Sequence, residues 1–130
     1  MDTSNKGTFK GTWIKGNNGI KVVVSIIIFN EDDSTIVYCP ALDLSGYGTN
    51  EEEALVSFKI VFDQYILYAT NKKTLFEDLV NYGWSIPKHK RQNITPPQMS
   101  VLLSNNSEFN RVFNTLPYRK IDEELFMPAQ

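Results

Sequence analysis

Two hydrophobic periods divide this chain: between residues 20 and 29 nearly every position is apolar, whereas between 51 and 69 apolar side chains recur at helical spacing. In the first run Ile20, Val22, Val24, Ile26 and Ile28 share one face, and Val23, Ile27 and Phe29 share the other. A strand covered on both sides along its second half is expected. The run "IKVVVSIIIF" is too short to cross a bilayer as a helix, and its β-branched residues favour extended backbone. Residues 8–15 also alternate, with Phe9, Gly11 and Trp13 on one face, and "KGNNG" supplies the residues of a tight hairpin that would pair them with the apolar run. "NEDDS" makes the next turn. "TIVYC", residues 35–39, then completes an antiparallel meander that Pro40 ends, because proline has no N–H to give to a ladder.

The second period predicts a helix from Glu51 to Ala69, capped by Asn50, with Glu53 reaching back and three acids suiting the helix dipole. At 100° per residue, Ala54, Leu55, Phe58, Val61, Phe62, Tyr65, Ile66 and Ala69 form one broad face toward the sheet. Val56, Ile60 and Leu67 fall on a second, narrow stripe. Its cover is expected to be the next helix, Thr74 to Tyr82, which carries Leu75, Phe76, Leu79 and Val80; another protein chain is the alternative. Residues 88–97 have the composition of a linker, dividing a core at 1–87 from a tail at 98–130 that docks on it as one compact unit. "TPPQ" reads as a helix start capped by Thr95, carrying Met99, Leu102 and Leu103. A second short helix carries Phe109, Val112, Phe113 and Leu116, and "YRKIDEELFM" alternates as a final strand. That strand has two possible edges to join, its own sheet's or a neighbouring subunit's. The fold class expected is α+β: an antiparallel meander packed by a long helix, with extra helices and a C-terminal strand.

Composition adds mainly exclusions. The chain has 130 residues and a formal charge of −2, so no global positive field draws it to nucleic acid or to an anionic membrane. Its single cysteine, Cys39, and a polar N-terminus indicate neither a disulfide framework nor secretion, and a cytoplasmic location is expected. Cys39 reads as a small buried hydrophobe, and His89, among Lys88, Lys90 and Arg91, as an exposed residue of a solvated basic loop. Asp43 with Glu51, Glu52 and Glu53 is a poor metal cluster, because consecutive helix-start acids point in different directions. "SGYGTN" lacks the remaining glycine and the lysine of a nucleotide fingerprint. Tyr65, Tyr68 and Trp84 read as core aromatics rather than a ligand pocket. No catalytic residue, metal or cofactor is expected.

One segment has a resemblance. A hairpin ending in "IVYCPALDLSGYG" and followed directly by "TNEEEALVSFKIVFDQYI" resembles the N-terminal domain of the HicB antitoxin family over about residues 20–69. Tyr38 matches the strand aromatic, Pro40 with Leu42 or Leu44 the proline–leucine pair, Gly46 and Gly48 the two glycines, and Glu52, Glu53 and Ala54 the helix-opening motif. The resemblance implies a β-β-β-α core like part of a ribonuclease H fold, oligomerisation, and neutralisation of a small HicA-like ribonuclease toxin. A turn shorter than the family's, from Gly46 to Ala54, leads us to expect a third strand reduced to an extended link. The C-terminal forty residues show no recognisable DNA-binding motif, so binding to DNA does not carry over.

The function expected is therefore a non-enzymatic, HicB-like module that binds a partner protein or itself, with Val56, Ile60 and Leu67 and the sheet edge as contact surfaces. A small-molecule or RNA-binding module on the same fold is the alternative, and a degenerate nuclease centred on Asp43 the third reading.

Overall fold

A computed structural model describes residues 19–86 and 94–128. The predicted first strand and hairpin lie outside the described residues, as does the basic group around His89.

The apolar run forms β1 (Gly19–Glu31), followed by β2 (Ser34–Cys39), β3 (Leu44–Gly48), α1 (Glu51–Lys72), α2 (Leu75–Asn81), α3 (Met99–Asn105), α4 (Ser107–Thr115) and β4 (Tyr118–Pro128). The strands make one antiparallel sheet in the order β3-β2-β1-β4, so the fold is α+β. β1 is the spine. On one side it pairs with β4 from Gly19↔Pro128 to Phe29↔Tyr118; on the other it meets β2 from Ile27↔Tyr38 to Glu31↔Ser34. The final strand thus joins the edge of its own sheet. Asp32 and Asp33 both take positive φ in the β1–β2 turn, the combination whose twist matches two strands joined by a two-residue loop.

Each face of the sheet has its own cover. Val22, Val24, Ile26 and Ile28 lie in the main core with Phe58, Phe62, Ile66 and Ala69 of α1, while Ile27 and Phe29 face Phe109 and Val112 of α4 in a second core. Val23 is exposed, so only the second half of β1 is sandwiched, as the alternation implied.

Three expectations are corrected. β3 is a five-residue strand in register with β2 from Thr35↔Gly48 to Cys39↔Leu44, not an extended link. Gly46 and Gly48 enable this by lacking a side chain, since a Cβ on Gly46 would overlap the Phe58 amide nitrogen and one on Gly48 would sit 2.6 Å from that of Ala54. Thr95 caps no helix: it forms a bridge with Ser85, and α3 begins at Met99 after Gln98, whose side chain makes no capping bond. α2 does not cover the Val56 stripe. Lys73 takes the left-handed conformation that glycine usually supplies after a helix, with φ 60° and ψ 35°, and Thr74 N–H returns to the Ala69 carbonyl. This reversal carries Leu75 and Leu79 into the main core.

The segment with linker composition is partly structural, because Ile94 is buried in that core. Trp84 is buried as well and donates its indole N–H to the Ala41 carbonyl at 2.8 Å.

Candidate functional site

The junction from Tyr38 to Ala54 supplies most of the residues that carry the family resemblance, and their surroundings assign them to building the fold. Pro40 and Leu42 are buried, Leu44 packs against the main core, and Ala54 is buried beneath the first turn of α1. Asn50 Oδ1 accepts the Glu53 N–H at 2.9 Å, the cap that the sequence suggests. Glu53 reaches one residue further back than a capping box requires, accepting from both the N–H and the hydroxyl of Thr49 at 2.9 and 2.7 Å. These bonds hold its carboxyl below the usual range. Glu52 is simply exposed.

Tyr38 has a further task. Its buried phenol donates to Asp43 Oδ1 at 2.7 Å and accepts from Asn106 Nδ2 at 2.7 Å. Asn106 also caps α4, taking the Phe109 N–H at 2.9 Å, so one asparagine joins two helices and fastens the tail to β2. Burial, then the acceptor Asp43, pushes the Tyr38 hydroxyl well above the usual phenol range. Burial moves the Cys39 thiol up to about 12, which removes the thiolate that nucleophilic chemistry needs. Among the described residues no group of three or more histidine, cysteine, aspartate or glutamate side chains is placed to hold a metal.

The stripe on α1 stands apart from this framework. Val56, Ile60 and Leu67 are 57%, 53% and 63% exposed, on the side of the helix opposite the core face, and Tyr68, next to Leu67 in the chain but on another side of the helix, is 61% exposed. They are spaced for one straight contact line. Asp63 lies on the same side of the helix; partial burial raises its carboxyl and Lys59 opposes that shift. Of the aromatics weighed as a pocket, Tyr65 packs on the core, Tyr68 points outward with the Lys72 ammonium 5.0 Å from its ring centroid, and Trp84 is buried. They do not converge.

No family model, curated protein or solved structure matches the chain. Its own surfaces must therefore carry the functional reading. No helix among the described residues is long and apolar enough to cross a membrane.

A groove escaped the sequence reading. On the face of the sheet away from α1, Phe29, Ile36, Tyr38 and Tyr47 line a cavity of about 430 Å³ whose rim carries Glu31, Asp32, Asp43 and Glu108. Arg111 bridges two of these acids, reaching Glu31 at 3.0 and 3.2 Å and Glu108 at 2.7 Å. The cross-strand neighbours Phe29, Ile36 and Tyr47 were the available signal, but it is readable only once the register of three strands is known.

Proposed function

We propose that this protein is a cytoplasmic, non-enzymatic, HicB-like interaction module that acts by binding a partner protein or a second copy of itself through the outward face of α1. The observation that carries this reading is the stripe of Val56, Ile60 and Leu67, more than half exposed along a helix whose opposite side fills the core. A line of large apolar side chains at i, i+4 and i+11 is the form in which a helix docks on another helix or in a groove. The resemblance implies a small HicA-like ribonuclease toxin as the partner, and the antiparallel β-β-β-α order with β3 held against α1 is the core arrangement that goes with that resemblance.

The test is Ile60→Asp, which places a charge at the centre of the stripe while leaving every core residue in place. We expect partner capture, or any association made through this face of α1, to fall at least about tenfold, the equivalent of about 1.4 kcal/mol, with an unchanged circular dichroism spectrum. Undiminished binding would remove the stripe from the proposal.

The small-molecule alternative has the acid-rimmed groove as its support. Its carboxylates repel a phosphate backbone, so a cationic or neutral ligand suits it better than RNA. A saturable rise in melting temperature with such a ligand, insensitive to Ile60→Asp, would favour that reading.

A further inference from the structure

The outer edge of β4 is the longest edge of the sheet, and among the described residues no strand pairs with it. Exposed edges of this length are usually blunted by charge, commonly lysine. Here the charge has an order. Reading along β4, Arg119 and Lys120 are positive, Ile121 is apolar, and Asp122 and Glu123 are negative. The sequence is antisymmetric in charge about Ile121. Two copies of β4 laid antiparallel with a two-fold axis at Ile121 would place Lys120 opposite Asp122 and Arg119 opposite Glu123, each contact occurring twice, with the two isoleucines facing each other.

We infer that this edge is a homodimer interface, in which β4 pairs with β4 of a second copy and the sheet runs on from one protomer into the next. Charge selects the register as well as the occupant. Moving the axis one residue toward the C-terminus sets Asp122 against Asp122, and moving it one residue the other way sets Lys120 against Lys120; directly opposed like charges destabilise a strand pair. A two-fold axis perpendicular to the sheet keeps each face on its own side, so side chains that meet across the axis emerge on the same face, as antiparallel pairing requires.

The present contacts of these charges leave them able to change partners. Lys120 reaches Asp122 of its own strand at 3.2 Å, both side chains being well exposed, and such surface pairs are weak enough to be exchanged. Asp122 also accepts from the Ser25 hydroxyl at 3.3 Å. Arg119 pairs with Glu51, and Glu123 with Lys59 at 2.8 Å, which aims both toward α1. Cross-strand partners would add to these pairs.

This surface is separate from the α1 stripe. The experiment is a charge exchange at the two positions that do not pair with α1, Lys120→Glu and Asp122→Lys, followed by analytical ultracentrifugation of each variant alone and of the two mixed. The wild-type chain should be a dimer. Each variant alone should dimerise about tenfold or more weakly, because its changed residue meets a like charge twice. The equimolar mixture should restore the dimer. In a mixed pair the new glutamate of one chain faces the new lysine of the other, and the native Asp122 of the first faces the native Lys120 of the second. A monomeric wild-type chain at high micromolar concentration, single variants as dimeric as wild type, or a mixture that fails to reassociate would each overturn the inference. Ile60→Asp, run in parallel, should leave this dimer intact; if it abolishes the dimer while Lys120→Glu does not, self-association belongs to the stripe instead.

Discussion

A methyl group added to Gly46 would overlap the Phe58 amide nitrogen and lie 2.5 Å from the Ala54 carbonyl oxygen, so strand and helix backbones touch there with nothing between them. Both neighbours are main chain and cannot rotate aside. Gly46→Ala should therefore cost about 3 kcal/mol, at the high end for overpacking, as measured by urea unfolding. Ser45→Ala, one residue earlier on the same strand, should change stability by less than about 0.5 kcal/mol. Glycine at this junction is easily taken for a source of unusual backbone angles. The left-handed position in this junction belongs instead to Asp43.

Lys73 decides where a whole element goes. A left-handed residue after α1 sends the chain back toward the core, and α2 follows it there and leaves the Val56 side bare. Lysine is strained in that conformation, so Lys73→Gly should raise stability by about 0.5–1 kcal/mol in thermal unfolding, with α2 unmoved. The same position explains one limit on what sequence reveals. The stripe itself is legible from periodicity, because every residue of α1 obeys a 3.6-residue repeat. Its lack of a cover is not, because no glycine announces the reversal. β3 is obscured in a similar way: "LSGYG" has little apolar alternation, and its strand character comes from backbone pairing with β2 and contact with α1. β1, whose alternation is strong on both faces, is legible down to the half that is sandwiched.

At the scale of the molecule, core and tail are one structure. Leu125 and Met127 of β4 lie in the same core as Phe58 and Phe62 of α1, and Tyr38 of β2 is bonded to Asn106 ahead of α4. Truncation after Pro117 should abolish cooperative thermal unfolding, since losing two fully buried side chains at about 2–5 kcal/mol each removes most of a domain's stability. A fragment that still melts sharply would show that the first three strands and the four helices stand without β4. Pairing of β1 with β4 could not be read from the chain, because nothing local in "YRKIDEELFM" names its neighbour.

That pairing also sets an order in time. Gly19 meets Pro128 and Phe29 meets Tyr118, so the most apolar strand waits for the last described one before its long edge is satisfied. During synthesis "KVVVSIIIF" leaves the ribosome with one side of its ladder open and stays so until residues 118–128 have followed. Closing so large a loop makes sheet completion a slow, late step. In the cell, the nascent chain is a natural client for chaperones that shield apolar β segments, and its yield will depend on how quickly translation reaches β4.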